Sequence, residues 1–136
     1  MSRILVAEDN PANRELMLEF LGAEGFEVLE AADGEQAIAQ LGLSPEVALV
    51  DIRMPKANGF EVLQAIRSQP HLTGTYVFAV TAFAMEGDRQ KALLAGFDGY
   101  LAKPISRKEL ISAIKTALQS PRATALPLVP SQKTAR

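Results

Sequence analysis

The chain has 136 residues, 14 basic against 16 acidic, 48% hydrophobic residues, no cysteine and no tryptophan. That length suits one domain of roughly 100–150 residues. The missing cysteines exclude disulfides, thiolate metal sites and a cysteine nucleophile, and the near-balanced charge gives no sign of a nucleic-acid surface. After Met1-Ser2-Arg3 only four apolar residues, Ile4 to Ala7, precede an acidic pair. A signal peptide needs about 7 there and a membrane span about 18. The expectation is a cytoplasmic protein without membrane contact.

Residues 4–7 are the first of five short apolar runs that read as strands. Asn10-Pro11 then offers a helix N-cap with proline at the first helical position, and Leu16, Met17, Phe20 and Leu21 form an apolar stripe. Residues 28–31 are the second strand, and Asp33-Gly34-Glu35-Gln36 matches a capping box. Residues 47–50 are the third; Asn58-Gly59-Phe60-Glu61 begins a helix carrying Val62, Leu63 and Ile66. Residues 76–80 are the fourth, followed by a helical segment at 85–94 that Gly87 and Gly96 interrupt. Residues 100–102 are the fifth. Ser106-Arg107-Lys108-Glu109 is a second capping box, opening an amphipathic helix with Leu110, Ile111, Ile114 and Leu118 on one face.

Mostly continuous apolar runs suit strands covered on both faces, as in a parallel sheet. Five alternations of strand and helix predict a three-layer α/β sandwich with right-handed crossovers. One domain is expected over 1–119. Residues 120–136, with Pro121, Pro127 and Pro130 and no acid, read as a disordered tail.

In open α/β sheets, ligands bind beyond the carboxyl ends of the strands. Glu8-Asp9 follows the first run, Asp51 the third, Thr81 the fourth and Lys103-Pro104 the fifth. Carboxylates about 4 Å apart repel by a few kcal/mol at an effective dielectric of 20, so such a set calls for a cation. Mg2+ fits, being a hard ion that takes carboxylate oxygens and keeps waters exchangeable for phosphoryl oxygens. Lys103 and the Thr81 hydroxyl would then face a phosphoryl group carried by one carboxylate. Each residue alone has a plainer reading: dipole compensation for Glu8-Asp9, a turn residue for Asp51, a solvated loop lysine for Lys103. Their joint placement at strand ends favours the chemistry.

With these residues in view, the sequence resembles the receiver domain of two-component response regulators, over roughly residues 3–118. The markers are Glu8-Asp9, Asp51-Ile52-Arg53-Met54-Pro55 with Gly59, Val80-Thr81-Ala82 and Lys103-Pro104. The stretch Ala79-Val80-Thr81-Ala82-Phe83-Ala84-Met85 with Lys103-Pro104-Ile105 is further similar to the single-domain regulators of cell-cycle phosphorelays. The resemblance implies a flavodoxin-like sheet in the order 2-1-3-4-5 with five helices, an order general to receivers of the chemotaxis type.

It further implies that Asp51 accepts the phosphoryl group. Asp9 and Asp51 would ligate Mg2+ directly, Glu8 mainly through water, and Arg53 by its backbone carbonyl. Thr81, Ala82 and Lys103 would bind phosphoryl oxygens, Thr81 and Tyr100 would act as the switch, and the bond to Pro104 would be cis. Large Arg53 and apolar Phe83 would suit slow self-hydrolysis. The implied partners are a histidine kinase or histidine phosphotransfer domain and a downstream target protein. The implied state is a monomer or weak homodimer, acting as a stand-alone response regulator and signal carrier rather than a turnover enzyme.

Three other functions fit these residues less well. A phosphohydrolase with an aspartyl nucleophile would carry a second acid two residues on, but Asp51 is followed by Ile52 and Arg53. A flavin or nucleotide carrier would need a Gly/Ser/Thr-rich loop after the first strand; Glu8-Asp9-Asn10-Pro11 would repel phosphate. A receiver-like module that is never phosphorylated is disfavoured by the intact acceptor set. His71, in a Pro70 to Gly74 loop, reads as inert, and Met54 and Met85 as packing residues.

Overall fold

In a computed structural model, the residues described are 2–54, 56–82 and 86–119. The expected tail at 120–136, together with Pro55, Phe83 and Met85, lies outside them. Five strands, β1 (Arg3–Ala7), β2 (Glu27–Ala31), β3 (Val47–Asp51), β4 (Tyr76–Thr81) and β5 (Gly99–Ala102), alternate with five helices. The helices are α1 (Pro11–Ala23), α2 (Gly34–Ala39), α3 (Gly59–Arg67), α4 (Glu86–Ala95) and α5 (Arg107–Gln119). Every pairing is parallel, and the sheet order is β2-β1-β3-β4-β5. This is the flavodoxin-like arrangement.

The pleat of each strand sorts its apolar residues into two cores. Ile4, Val6, Val47, Leu49, Phe78 and Val80 face α1 and α5, where they meet Met17, Leu21, Leu110 and Ile114. Leu5, Ala7, Ala48, Val50, Val77 and Ala79 face the opposite way, toward Ala37, Val62, Leu63, Ile66 and Ala92 of α2, α3 and α4. Each fully buried Leu or Ile here stabilises the fold by roughly 1.5–3 kcal/mol. The sheet therefore holds its strand ends rigidly from both sides.

The helix starts follow the cap chemistry of the sequence. The Asn10 side chain accepts from the Asn13 N–H, with Pro11 at the first position. Asn58 and Glu61 close a complete capping box at α3, and Ser106 and Glu109 exchange the same pair of bonds ahead of α5. At α2 the box is displaced. Asp33 accepts from the Gln36 N–H as expected, but the Gln36 side chain accepts from the Ala32 N–H, one residue upstream.

Three local expectations are corrected. Leu16 does not join the α1 stripe in the core but stays 44% exposed. Gly87 lies inside α4 rather than breaking it, whereas Gly96, at φ +116°, follows its end. Asp51 and Thr81 are the last residues of β3 and β4 rather than the first residues after them. No helix among the described residues is long and apolar enough to cross a membrane.

Candidate metal and phosphoryl site

The carboxyl ends of β1, β3, β4 and β5 bring together residues that are remote in the chain. Glu8 leaves the end of β1, its N–H bonded to the Ala31 carbonyl at 3.0 Å. It is only 1% exposed, and Asp51 only 5%. Asp9, the next residue, turns outward and is exposed. Glu8, Asp9 and Asp51 each place a carboxylate oxygen within 4.8 Å of the others.

The Lys103 ammonium bridges two members of this set. Nζ lies 2.6 Å from Glu8 Oε1 and 2.7 Å from Asp51 Oδ2. Lys103 reaches this position because its own N–H bonds the Thr81 carbonyl at 2.9 Å, continuing the β4–β5 ladder past Ala102. The Lys103–Pro104 peptide bond is cis. The other Asp51 oxygen, Oδ1, accepts the Arg53 backbone N–H at 3.0 Å.

The electrostatics follow from burial. Burial pushes the Glu8 carboxyl above its ordinary 4.5, against the pull of Lys103 and the Asn10 N–H, and neighbouring Asp51 adds to the rise. For Lys103, burial acts to lower the pKa, but the Asp51 and Glu8 carboxylates together outweigh it and hold the ammonium above 10.5. Glu8 Oε1 sits at ion-pair distance from Nζ without an aligned hydrogen bond. Glu8, Asp9 and Asp51, three carboxylates converging on one spot, are a donor set that fits a hard divalent cation.

The remaining expected residues sit around this centre. Thr81 is buried at the end of β4 and Ala82 is exposed just beyond it; Arg53 is exposed after β3. Tyr100 is half-buried on β5 and packs against the α2–α4 core. His71 is exposed in a short helical turn, 3.3 Å from the Leu41 carbonyl and on a different element from the cluster. Met54 packs in the core.

Gly59 sets the approach of α3 to the end of β3. A Cβ there would lie 2.7 Å from both the Asp51 carbonyl oxygen and the Ile52 Cα, so only glycine admits this contact. Sequence reasoning missed two features: the direct Glu8–Lys103 pair, where the resemblance implied water around Glu8, and the anchoring of the β1–α1 turn by Arg14. The one signal for the latter is a basic residue one turn into the helix that follows the acid pair.

The notch bordering Lys103, lined by Leu16, Met17, Phe20, Pro104 and Ile105 among others, is only about 40 Å³. Small-molecule sites commonly span about 300–1,000 Å³. The notch therefore does not suit a flavin or nucleotide.

Residues 4–115 match the family described as response regulator receiver domain. The chain belongs to that family. Among curated relatives, this receiver is 42% identical over 119 residues to the transcriptional regulatory protein CpxR of Klebsiella pneumoniae, covering 88% of this chain and 50% of the relative. It is 34% identical to the polar-differentiation response regulator DivK of Brucella anthropi, over 85% of this chain and 94% of the relative. The receiver thus spans about half the length of CpxR but nearly all of DivK.

Among solved structures, the receiver domain of a sensor histidine kinase from Pseudomonas aeruginosa superposes with a TM-score of 0.81 at 35% identity, covering 88% of this chain and 98% of that one. That domain holds a magnesium ion in its active-site cleft. The chemotaxis protein CheY4 of Vibrio cholerae gives 0.80 at 28% identity, over 86% and 98%.

Proposed function

We propose that this receiver accepts a phosphoryl group on Asp51 from a phosphohistidine of a histidine kinase or histidine phosphotransfer domain. The observation that carries the reading is the Lys103 ammonium bridging buried Glu8 and Asp51 beside Asp9. Glu8, Asp9 and Asp51, with the Arg53 backbone carbonyl, would hold Mg2+. When bound, that ion neutralises carboxylate charge and offers positions to phosphoryl oxygens. Asp51 forms the new O–P bond as the P–N bond to the donor histidine breaks, its electron pair returning to the imidazole. Lys103 exchanges a carboxylate partner for a phosphoryl oxygen, and the Thr81 hydroxyl and Ala82 N–H donate to others.

Drawing Thr81 toward the new charge frees space for the Tyr100 ring and biases the surface around β5 toward one of two arrangements. Output then runs through contact with a downstream protein, with the receiver unit spanning 1–119 and working in the cytoplasm as a monomer or weak homodimer. As a member of a phosphoacceptor signalling family, it carries the signal rather than turning over substrate. Exposed Arg53 beside the acceptor favours a slow loss of the phosphoryl group.

Incubation with a small phosphodonor and Mg2+ tests the reading by intact mass. One labile phosphoryl addition is expected, absent from Asp51→Asn; no addition, or one that survives the substitution, refutes it. Tyr100→Ala should keep the addition yet weaken partner binding, and unchanged partner affinity would remove Tyr100 from the switch. Decay of the addition within seconds would count against slow self-hydrolysis.

A further inference from the structure

The backbone of the acid pair is bonded by a side chain one helical turn away. Arg14, in the first turns of α1, reaches back over the β1–α1 turn with both ends of its guanidinium. Nη1 donates to the Glu8 carbonyl at 2.7 Å, and Nε donates to Glu30 Oε2 on β2 at 3.0 Å. The Arg14 side chain is 16% exposed against 52% for Glu30. Glu30 is itself tethered, its carbonyl accepting from the Gln40 side chain at 2.6 Å.

The bonded carbonyl belongs to the peptide joining Glu8 to Asp9. That peptide plane carries one carboxylate on each flanking Cα. The Glu8 N–H is already fixed to Ala31, and Glu8 Oε2 accepts from the Asn10 N–H at 3.1 Å. With the carbonyl held as well, the rotations on either side of the peptide are set, and the Glu8 and Asp9 carboxylates stay within 4.8 Å of each other and of Asp51. The opposite charge of Glu30 keeps the guanidinium turned to the carbonyl and away from the carboxylates.

We infer that Arg14, anchored by Glu30, is a positioning residue that aims Glu8 and Asp9 at a shared divalent ion, and so tunes metal affinity without touching the metal. The inference rests on the metal-binding part of the proposed function. Its requirement is a fork, not merely a charge. A lysine ammonium is a point donor on a flexible stem and does not reproduce two bonds in fixed directions.

The test is a titration of the full chain with MgCl2 and no phosphodonor, followed by amide NMR at Glu8, Asp9 and Asn10. Groups that orient metal ligands typically change affinity 10–100-fold when replaced. Arg14→Ala is expected to weaken Mg2+ binding about tenfold, Arg14→Lys nearly as much, and Glu30→Gln less. Glu19→Gln, exposed on the same helix, should bind as the wild type. A purely structural arginine would lower the unfolding midpoint while leaving affinity below that midpoint unchanged.

Should Arg14→Ala fail to fold, Arg14→Lys and Glu30→Gln carry the comparison. Wild-type affinity in a folded Arg14→Lys protein overturns the inference, and a wild-type chain that binds no Mg2+ overturns it together with the metal site. A wild type that binds Mg2+ but is never phosphorylated refutes the phosphoacceptor reading alone.

Discussion

Lys103 supplies the counter-charge that lets two carboxylates stay buried a few ångströms apart. Removing one partner of a buried ion pair commonly costs 3–5 kcal/mol because the other charges are left without compensation. The lysine stem is partly solvated, so Lys103→Met is expected to cost about 2 kcal/mol in metal-free buffer. Part of that loss should return on adding Mg2+, since a divalent ion meets the same charges. Urea unfolding with and without Mg2+ measures both effects, and a loss that ignores the ion would contradict the shared role. Residues at this scale were partly legible. The acids, Thr81 and Lys103 stand out because each ends an apolar run. The Glu8–Lys103 contact and the Arg14 anchor depend on distances through space that spacing along the chain does not encode.

Among elements, the link between α1 and α5 titrates. Glu24 follows α1 and pairs with Arg107 at 2.8 Å and Lys115 at 3.2 Å on α5. The Arg107 hydrogen bond, then Lys115, holds its carboxyl below the ordinary 4.5. A depressed carboxyl stabilises the fold above its unfolded value and loses that contribution as pH falls through the folded value. Glu24→Gln should therefore lower the unfolding midpoint slightly at neutral pH and low salt. The difference should shrink both on acidification through the carboxylate range and on adding salt, because the site is solvent-screened. A difference that persists in acid would point to packing instead.

The elements themselves were largely readable because capping signals and continuous apolar runs agree with the packing that buries them. The strand ends fell one residue short at Asp51 and Thr81, since an apolar run stops at its first polar residue even when the ladder continues. Leu16 was misassigned for the converse reason: its spacing fits the buried stripe of α1, but it sits at the rim. The glycine at 87 weakens a helical pattern, yet α4 runs through it; tertiary packing overrides a penalty of about 1 kcal/mol.

Taken whole, the molecule gathers its reactive groups at one end of the sheet and places an apolar rim beside them. Leu16 and Phe20 of α1 adjoin Pro104 and Ile105 in the notch bordering Lys103. If the proposed transfer to Asp51 holds, the protein that carries the phosphohistidine is expected to bury this rim on docking. Leu16→Glu should slow transfer from a protein donor about tenfold, the effect of losing one well-packed anchor, while leaving labelling by a small phosphodonor unchanged. Equal losses with both donors would move the defect from docking to chemistry. The architecture was readable because alternating strands and helices admit few right-handed solutions. The rim was not, because exposure of an apolar residue is decided by neighbours far along the chain.

Gly59 couples two matters that protein engineers usually treat apart. Replacing glycine by alanine near the start of a helix is a routine route to a hardier fold. Here the added methyl would collide with the backbone at the end of β3, 2.7 Å from the Asp51 carbonyl oxygen. The substitution would thus loosen the fold and displace the end of β3 together, and any hardening of this domain has to begin elsewhere.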